Sequence, residues 1–212
     1  MRAAERYHFK RIGNPRYIGL AQAILKTLDY HPTLTKYKSA IDVGSSCGVL
    51  LDSIDKASKL DLIYGVDASK YAKKLWQCKN GTFIQSDLNA GAPEIPHTFD
   101  IITCIEVAEH LEQDAVLINF FNTLSNKDSV LFFSAAHPKQ KAKGHINMHW
   151  HSWWRKRVED SGWYYNHQMT MIFAYTLGLF KGMNGGDMPS YYLNTLVFQK
   201  AGDENSEDGL LH

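Results

Sequence analysis

Residues 40–48, AIDVGSSCG, followed at 64–69 by YGVDAS, decide the fold of this 212-residue chain. Ser39 to Val43 reads as a short buried strand running into a turn bracketed by Gly44 and Gly48. Glycine there lets the backbone approach a ligand closely, and the helix that follows (Val49 to Lys56) presents unpaired N–H groups at its start. A second strand, Leu62 to Val66, ends at Asp67, about 20 residues after the loop, where an acidic side chain can hold ribose hydroxyls. A lone glycine loop is weak evidence, but its spacing to an acid-tipped second strand is not. The loop lacks G-x-G-x-x-G, which counts against a nicotinamide-dependent oxidoreductase.

The rest of the chain extends this pattern. An amphipathic helix is expected from Arg16 to Leu28, after Pro15. Ser69 to Cys78 is expected to be helical and Gly81 to Gln85 a strand, and a polar turn follows through Asp87 and Pro93. Phe99 to Ile105 (FDIITCI) is a strongly apolar strand. A continuous helix is expected over Glu106 to Leu124, then a strand over Ser129 to Ser134. A loop rich in histidine, lysine and glycine spans Ala135 to Ser152. SWWRKRVEDSGW (residues 152–163) reads as a helix and Leu193 to Gln199 as a last strand. Strands alternating with helices imply βαβ units and a parallel sheet with right-handed crossovers.

Glu106, Glu109 and His110 stand at i, i+3 and i+4 where the fourth strand passes into the expected helix. On a helix that spacing brings all three side chains to one face. Two carboxylates and an imidazole suit Mn²⁺ or Fe²⁺, and Mg²⁺ less well. His145, His149 or His151 could add a second imidazole. His145 is preferred because Gly144 before it frees the backbone to turn the ring inward.

These motifs resemble those of the class I S-adenosylmethionine (SAM)-dependent methyltransferases. DVGSSCG looks like their first motif, D-x-G-x-G-x-G, with Ser46 in place of the middle glycine. The resemblance implies that Asp42, Gly44, Ser45, Ser46 and Gly48 line the SAM site. GVDAS resembles the second motif, with Asp67 and Ala68 at the ribose. SDL (Ser86, Asp87, Leu88) resembles the third, Asp87 facing the adenine amino group. FDIITCIEVAEHL resembles the fourth, with Ile105 and Glu106 at the methyl-donor end. The matches run in order from Ser39 to Ser134. They imply a Rossmann-like α/β domain with a mostly parallel seven-stranded sheet flanked by helices.

E-x-x-E-H plus a later histidine also resembles the metal-dependent methyltransferases of small-RNA 3′ ends. That resemblance implies a cation (Mn²⁺ or Mg²⁺) held by Glu106, Glu109, His110 and His145, gripping vicinal hydroxyls. Many class I members carry similar residues without a metal. A narrower resemblance, in VLFFSAAHPKQKAKGHINMHWHSWWRKRVEDSGW, is to bacterial and viral methyltransferases found near glycan-biosynthesis genes. Some of these, in large algal viruses (chloroviruses), methylate rhamnose on capsid glycans. Sugars are held by aromatic faces and polar groups, and this stretch supplies Trp150, Trp153, Trp154, Trp163, Tyr164 and Tyr165 beside His145, Asn147 and His149. About half of these aromatics are expected in the core instead.

Composition sets the outer bounds. Hydrophobic residues make up 44% and charged residues 21% of the chain, with a net charge of +1. That suits one soluble domain, assigned to residues 1–201, with an acidic tail over 202–212 expected to be disordered. Near-neutral charge and the lack of a basic stripe argue against a nucleic-acid partner. No apolar run approaches the roughly 20 residues of a bilayer span, and the N-terminus has no secretory core. The three cysteines fit no zinc spacing and cannot all pair, and free thiols at Cys47 and Cys104 beside the motifs imply a reducing, cytoplasmic setting, the host cytoplasm if viral. The expectation is a SAM-dependent O-methyltransferase acting on a sugar hydroxyl of a glycan, with Glu106, His110 and His145 as catalytic residues. The rivals are 2′-O-methylation of RNA 3′ ends and a non-catalytic SAM-fold binding subunit. The oligomeric state stays open.

Overall fold

The computed structural model describes residues 15–31, 36–184 and 194–200. The expected tail at 202–212 and the N-terminal segment lie outside the described residues. In chain order the elements are α1 (Pro15–Leu28), β1 (Ser39–Val43), α2 (Val49–Ser58), β2 (Leu62–Asp67), α3 (Lys70–Lys74), β3 (Thr82–Gln85) and β4 (Phe99–Ile105). A 3₁₀ turn (Ala108–His110) precedes α4 (Asp114–Leu124). Then come β5 (Ser125–Ser134), α5 (His151–Glu159), β6 (Trp163–Tyr165), α6 (His167–Asn184) and β7 (Leu196–Lys200).

The seven strands lie in the order β3-β2-β1-β4-β5-β7-β6. β1 to β5 are parallel, while β7 runs antiparallel to both β5 and β6. Side chains alternate across this sheet, so each strand feeds two cores. Leu131 and Phe133 point to one face with Phe121, Trp154 and Val158 from α4 and α5. Val130 and Phe132 point to the other, with Ile24, Leu51 and Phe173 from α1, α2 and α6. Strand order reverses between β1 and β4, which opens a crevice at their carboxyl ends.

Four expectations are corrected. The helix expected from Glu106 begins only at Asp114. Glu106 has a left-handed backbone (φ 56°), and the Glu112 amide is held by Asn89 Oδ1 at 2.8 Å. Both keep the linker out of helical register. The helix expected to reach Trp163 stops at Glu159, because the chain turns through Gly162 (φ 90°) into β6. The helix expected to reach Cys78 ends at Lys74, and Leu75 adopts a non-helical conformation. The last strand starts at Leu196; Leu193 lies outside the described residues. β6 and α6 are additions to the sequence reading. Asn166 caps α6, its Oδ1 accepting from the Met169 amide at 2.8 Å.

Candidate active site

The glycine loop forms one wall of the crevice. A Cβ on Gly44 (φ 83°) would stand 2.2 Å from Val107, and one on Gly48 (φ 75°) 2.6 Å from the Trp76 ring. Only glycine fits either place. Ser46, where the methyltransferase motif has its middle glycine, is also left-handed (φ 48°). The loop is tied to β2: the Gly44 and Ser45 amides both donate to the Val66 carbonyl, at 2.7 and 3.0 Å. Asp67 completes the link, its carboxylate accepting from the amides of Ser46 and Ser69, both at 2.8 Å. Ala68 lies in this short turn.

Asp42 is set deeper, 5% exposed, and accepts from Thr103 Oγ1 at 2.7 Å. Burial pushes its carboxyl up to about 7, with the charge of Asp67 adding to the rise. Ser86 donates its amide to the Asp67 carbonyl at 3.1 Å. Asp87 is exposed while Leu88 is buried, and the Asp87 carboxylate holds the Asn89 amide at 3.0 Å.

The opposite wall starts at Ile105 and Glu106, at the end of β4. The Glu106 amide donates to the Ser134 carbonyl at 3.0 Å, and Ser134 Oγ donates to Glu106 Oε1 at 2.9 Å. Burial pushes the Glu106 carboxyl up to about 7, and the Glu109 charge raises it further. Past the left-handed residue the 3₁₀ turn delivers Glu109 and His110.

Glu109 is fully buried, and neither of its carboxylate oxygens has a hydrogen-bond partner. Burial raises its pKa, opposed by its own backbone, the charge of His145 and the backbone of Ala136. The Glu109 backbone carbonyl accepts from the amides of Ile146 and Asn147, at 2.8 and 3.0 Å, which docks the 142–147 segment onto the turn. His110 Nδ1 meets the Gly144 carbonyl at 2.9 Å, and His145 Nδ1 meets the Gln140 carbonyl at 2.8 Å. A carbonyl only accepts, so Nδ1 carries a proton in both rings. The rings pack edge to face, 4.9 Å between centroids.

One ligand atom each from Glu109, His110 and His145 lie within 4.8 Å of one another. These three were expected together. Glu106, expected as a fourth member, is outside the group because the turn is not helical and Ser134 engages its carboxylate. His149 and His137 instead face aromatic rings. His149 stacks on Trp153 at 3.6 Å and bonds Asn147 Oδ1 at 2.9 Å, while His137 stacks on Trp150 at 5.4 Å. Trp154 and Trp163 are core, whereas Trp150 is 50% and Trp153 37% exposed. Ser134, Gln140 and Asn194 enter the site without having been marked individually by the sequence; Ser134 and Gln140 lie in the VLFFSAAHPKQ stretch, but as uncharged side chains they carried no signal of their own.

A methyltransferase-domain family model matches residues 16–175. The chain belongs to this family, and its sheet and glycine loop are those of the class I, SAM-dependent methyltransferases. The ubiquinone biosynthesis O-methyltransferase of Azotobacter vinelandii is 30% identical over 109 residues, 50% of this chain and 47% of that protein. The Paraburkholderia xenovorans enzyme of the same name is 30% identical over 124 residues, 56% of this chain and 52% of that protein. The chain thus spans about half the length of the curated relatives it matches. Among solved structures, plantazolicin methyltransferase BpumL in complex with SAH superposes with a TM-score of 0.65 at 14% identity, covering 95% of this chain and 91% of that one. The sugar N-methyltransferase KedS8 from a Streptoalloteichus species superposes at 0.52 and 15% identity, covering 66% and 57%. Among the described residues no helix is long and apolar enough to cross a membrane.

Proposed function

We propose that this domain transfers the methyl group of SAM to a sugar hydroxyl, assisted by a divalent cation held by Glu109, His110 and His145. The observation that carries the metal assignment is the buried Glu109 carboxylate, which has no hydrogen-bond partner and shares a cluster with two imidazoles. A buried carboxylate without a partner is costly, and a bound cation supplies the missing charge. Each imidazole is braced through Nδ1 by a backbone carbonyl, the usual support for a ligating histidine. Two nitrogens and one carboxylate favour Mn²⁺ over Mg²⁺ or Ca²⁺. When bound, such an ion lowers the pKa of a coordinated hydroxyl.

The chain's own residues supply the rest. The glycine loop, tied to Val66 and Asp67 through its own amides, gives the donor a close backbone surface, and Asp67 offers the remaining lone pairs of its carboxylate. Glu106, whose carboxyl is pushed up to about 7 at the donor end of β4, is matched to taking a hydroxyl proton near neutral pH. Trp150 and Trp153, exposed beside Asn147 and His149, offer flat faces and polar edges that suit a sugar, and a deoxyhexose such as rhamnose fits their partly apolar character. KedS8, a sugar N-methyltransferase, uses the same fold. The free, buried thiols of Cys47, Cys78 and Cys104 are in keeping with a reducing compartment such as the cytoplasm.

The test is a panel of rhamnosides, catechols and RNA duplexes, incubated with SAM and Mn²⁺ and scored by mass gain of one methyl. Methylation of a rhamnoside is expected. Transfer to a catechol or to RNA alone would reassign the acceptor, and full activity in EDTA would remove the metal.

A further inference from the structure

Gln140 ties together parts of the site that are far apart in sequence. Its backbone carbonyl accepts from His145 Nδ1 at 2.8 Å. Its side-chain Oε1 accepts from the His137 amide at 3.0 Å and from Asn194 Nδ2 at 2.8 Å. Two donors fill the two lone pairs of that amide oxygen. Asn194, just ahead of β7, is only 4% exposed. The sheet edge is thereby linked through Asn194 and Gln140 to the loop that carries His145.

We infer that Gln140 and Asn194 are positioning residues: they hold the Gln140 carbonyl where it keeps His145 in the Nδ1–H form with Nε2 turned to Glu109. A neutral imidazole has two tautomers, and the hydrogen bond to one nitrogen decides which is present. Residues 137–145 form a loop without helix or strand; the Gln140 amide bonds the His137 carbonyl within the loop at 2.8 Å, and the Gln140 side chain adds the anchor to the sheet edge. Asn194 contributes a donor from a buried position beside the sheet, in addition to the His137 amide from the loop itself.

The assignment of His145 as a cation ligand rests on the reading above, but the tautomer does not, and the experiment separates them. Long-range ¹⁵N–¹H NMR of the ¹⁵N-histidine-labelled full chain reports the protonated nitrogen of His145, and Mn²⁺ titration followed by electron paramagnetic resonance reports affinity. The wild type is expected to show the Nδ1–H form. Gln140→Leu should give mixed tautomers and Mn²⁺ binding weaker by about 10- to 100-fold, with SAM affinity unchanged. Gln140→Glu, which keeps an acceptor for both donors, should restore the wild-type tautomer. Asn194→Ala is the second variant should Gln140→Leu fail to fold. A shifted tautomer in a protein that never binds Mn²⁺ upholds the positioning role and overturns the metal. An Nδ1–H form that persists in both variants overturns the positioning role, as does a parallel loss of SAM affinity, which would mark a general structural defect.

Discussion

The two walls of the crevice treat their acidic side chains in opposite ways. On the donor wall, Asp67 is half-buried and both of its oxygens accept backbone amides, from Ser46 and Ser69. On the acceptor wall, Glu109 is fully buried and its oxygens accept nothing. A carboxylate satisfied by amides belongs to a loop that holds its own shape. A buried carboxylate left unpaired is the place where the proposed cation would act, since an orphaned buried acceptor costs about 1–3 kcal/mol and a charged one more. The donor wall is self-supporting; the acceptor wall is the one where the proposed cation would supply the missing partner.

The sharpest way to break this contrast is Glu109→Gln, which removes the charge at nearly constant volume. Methyl transfer with Mn²⁺ present should fall about 100- to 1,000-fold, the several kcal/mol expected of a lost metal-assisted step. SAM affinity should stay within about twofold, and the metal-free melting temperature should hold or rise, because an uncompensated buried charge has gone. A fall in melting temperature with unchanged Mn²⁺ dependence would make Glu109 an ordinary structural residue.

On the donor wall, Asp67→Ala should weaken SAM binding by about 10- to 100-fold, the loss of a charge-assisted hydrogen bond of roughly 1.5–3 kcal/mol. Because the Ser46 amide loses its acceptor as well, some stability should go with it, unlike Glu109→Gln. Calorimetric titration giving wild-type affinity would remove Asp67 from the cofactor site.

Asp42 gives the contrast a pH dependence. Its folded pKa, about 7, lies above the ordinary 3.8. Between these values the folded state keeps a proton that the unfolded state has lost, so its contribution is present at low pH and is lost as pH rises towards and through 7. From about pH 5.5 to 7 the loss should be roughly 1.5–2 kcal/mol, at about 1.4 kcal/mol per unit tapering near 7. Asp42→Asn, which can still accept from Thr103, should flatten this slope in urea unfolding at stepped pH. An unchanged slope would mean that Asp42 is ionised in the fold.

The donor wall was legible in the sequence because its parts are local: two glycines, an acid at the end of β2 and their spacing all act through nearby backbone. On the acceptor wall the residue types were legible and the geometry was not. Glu109, His110 and His145 do converge, but through a 3₁₀ turn and a loop folded back by the Ile146 and Asn147 amides, not through a helical face. Glu106 fell out of the group for that reason: a left-handed φ at a glutamate has no sequence signature. The helix His167–Asn184 escaped notice because Gly178 and several aromatic and β-branched residues dilute its pattern, although Met169, Phe173 and Leu177 recur at a four-residue spacing and Asn166 caps it. Gln140 and Asn194 matter through contacts 54 residues apart, which no local pattern encodes.

The smallest effect sharpens the claim that the donor loop supports itself. Ser46 occupies a left-handed conformation (φ 48°) that costs a residue with a Cβ roughly 1–2 kcal/mol. Its amide is held by Asp67 whatever the side chain, and its hydroxyl reaches only the weakly bonding Cys47 Sγ, at 3.5 Å. Ser46→Gly relieves the strain but adds freedom to the unfolded chain, worth about 0.4–1 kcal/mol in the other direction. The net expectation is a gain of about 0.5 kcal/mol, or 1–2 °C in melting temperature for a chain of this size, with SAM affinity within about threefold. Ser46→Ala keeps the strain and loses the hydroxyl, so it should show no gain. If Ser46→Gly were the less stable of the two, or bound SAM more than tenfold weaker, the serine side chain would itself be holding the loop, and the donor wall would depend on that contact rather than on the backbone bonds to Asp67 and Val66.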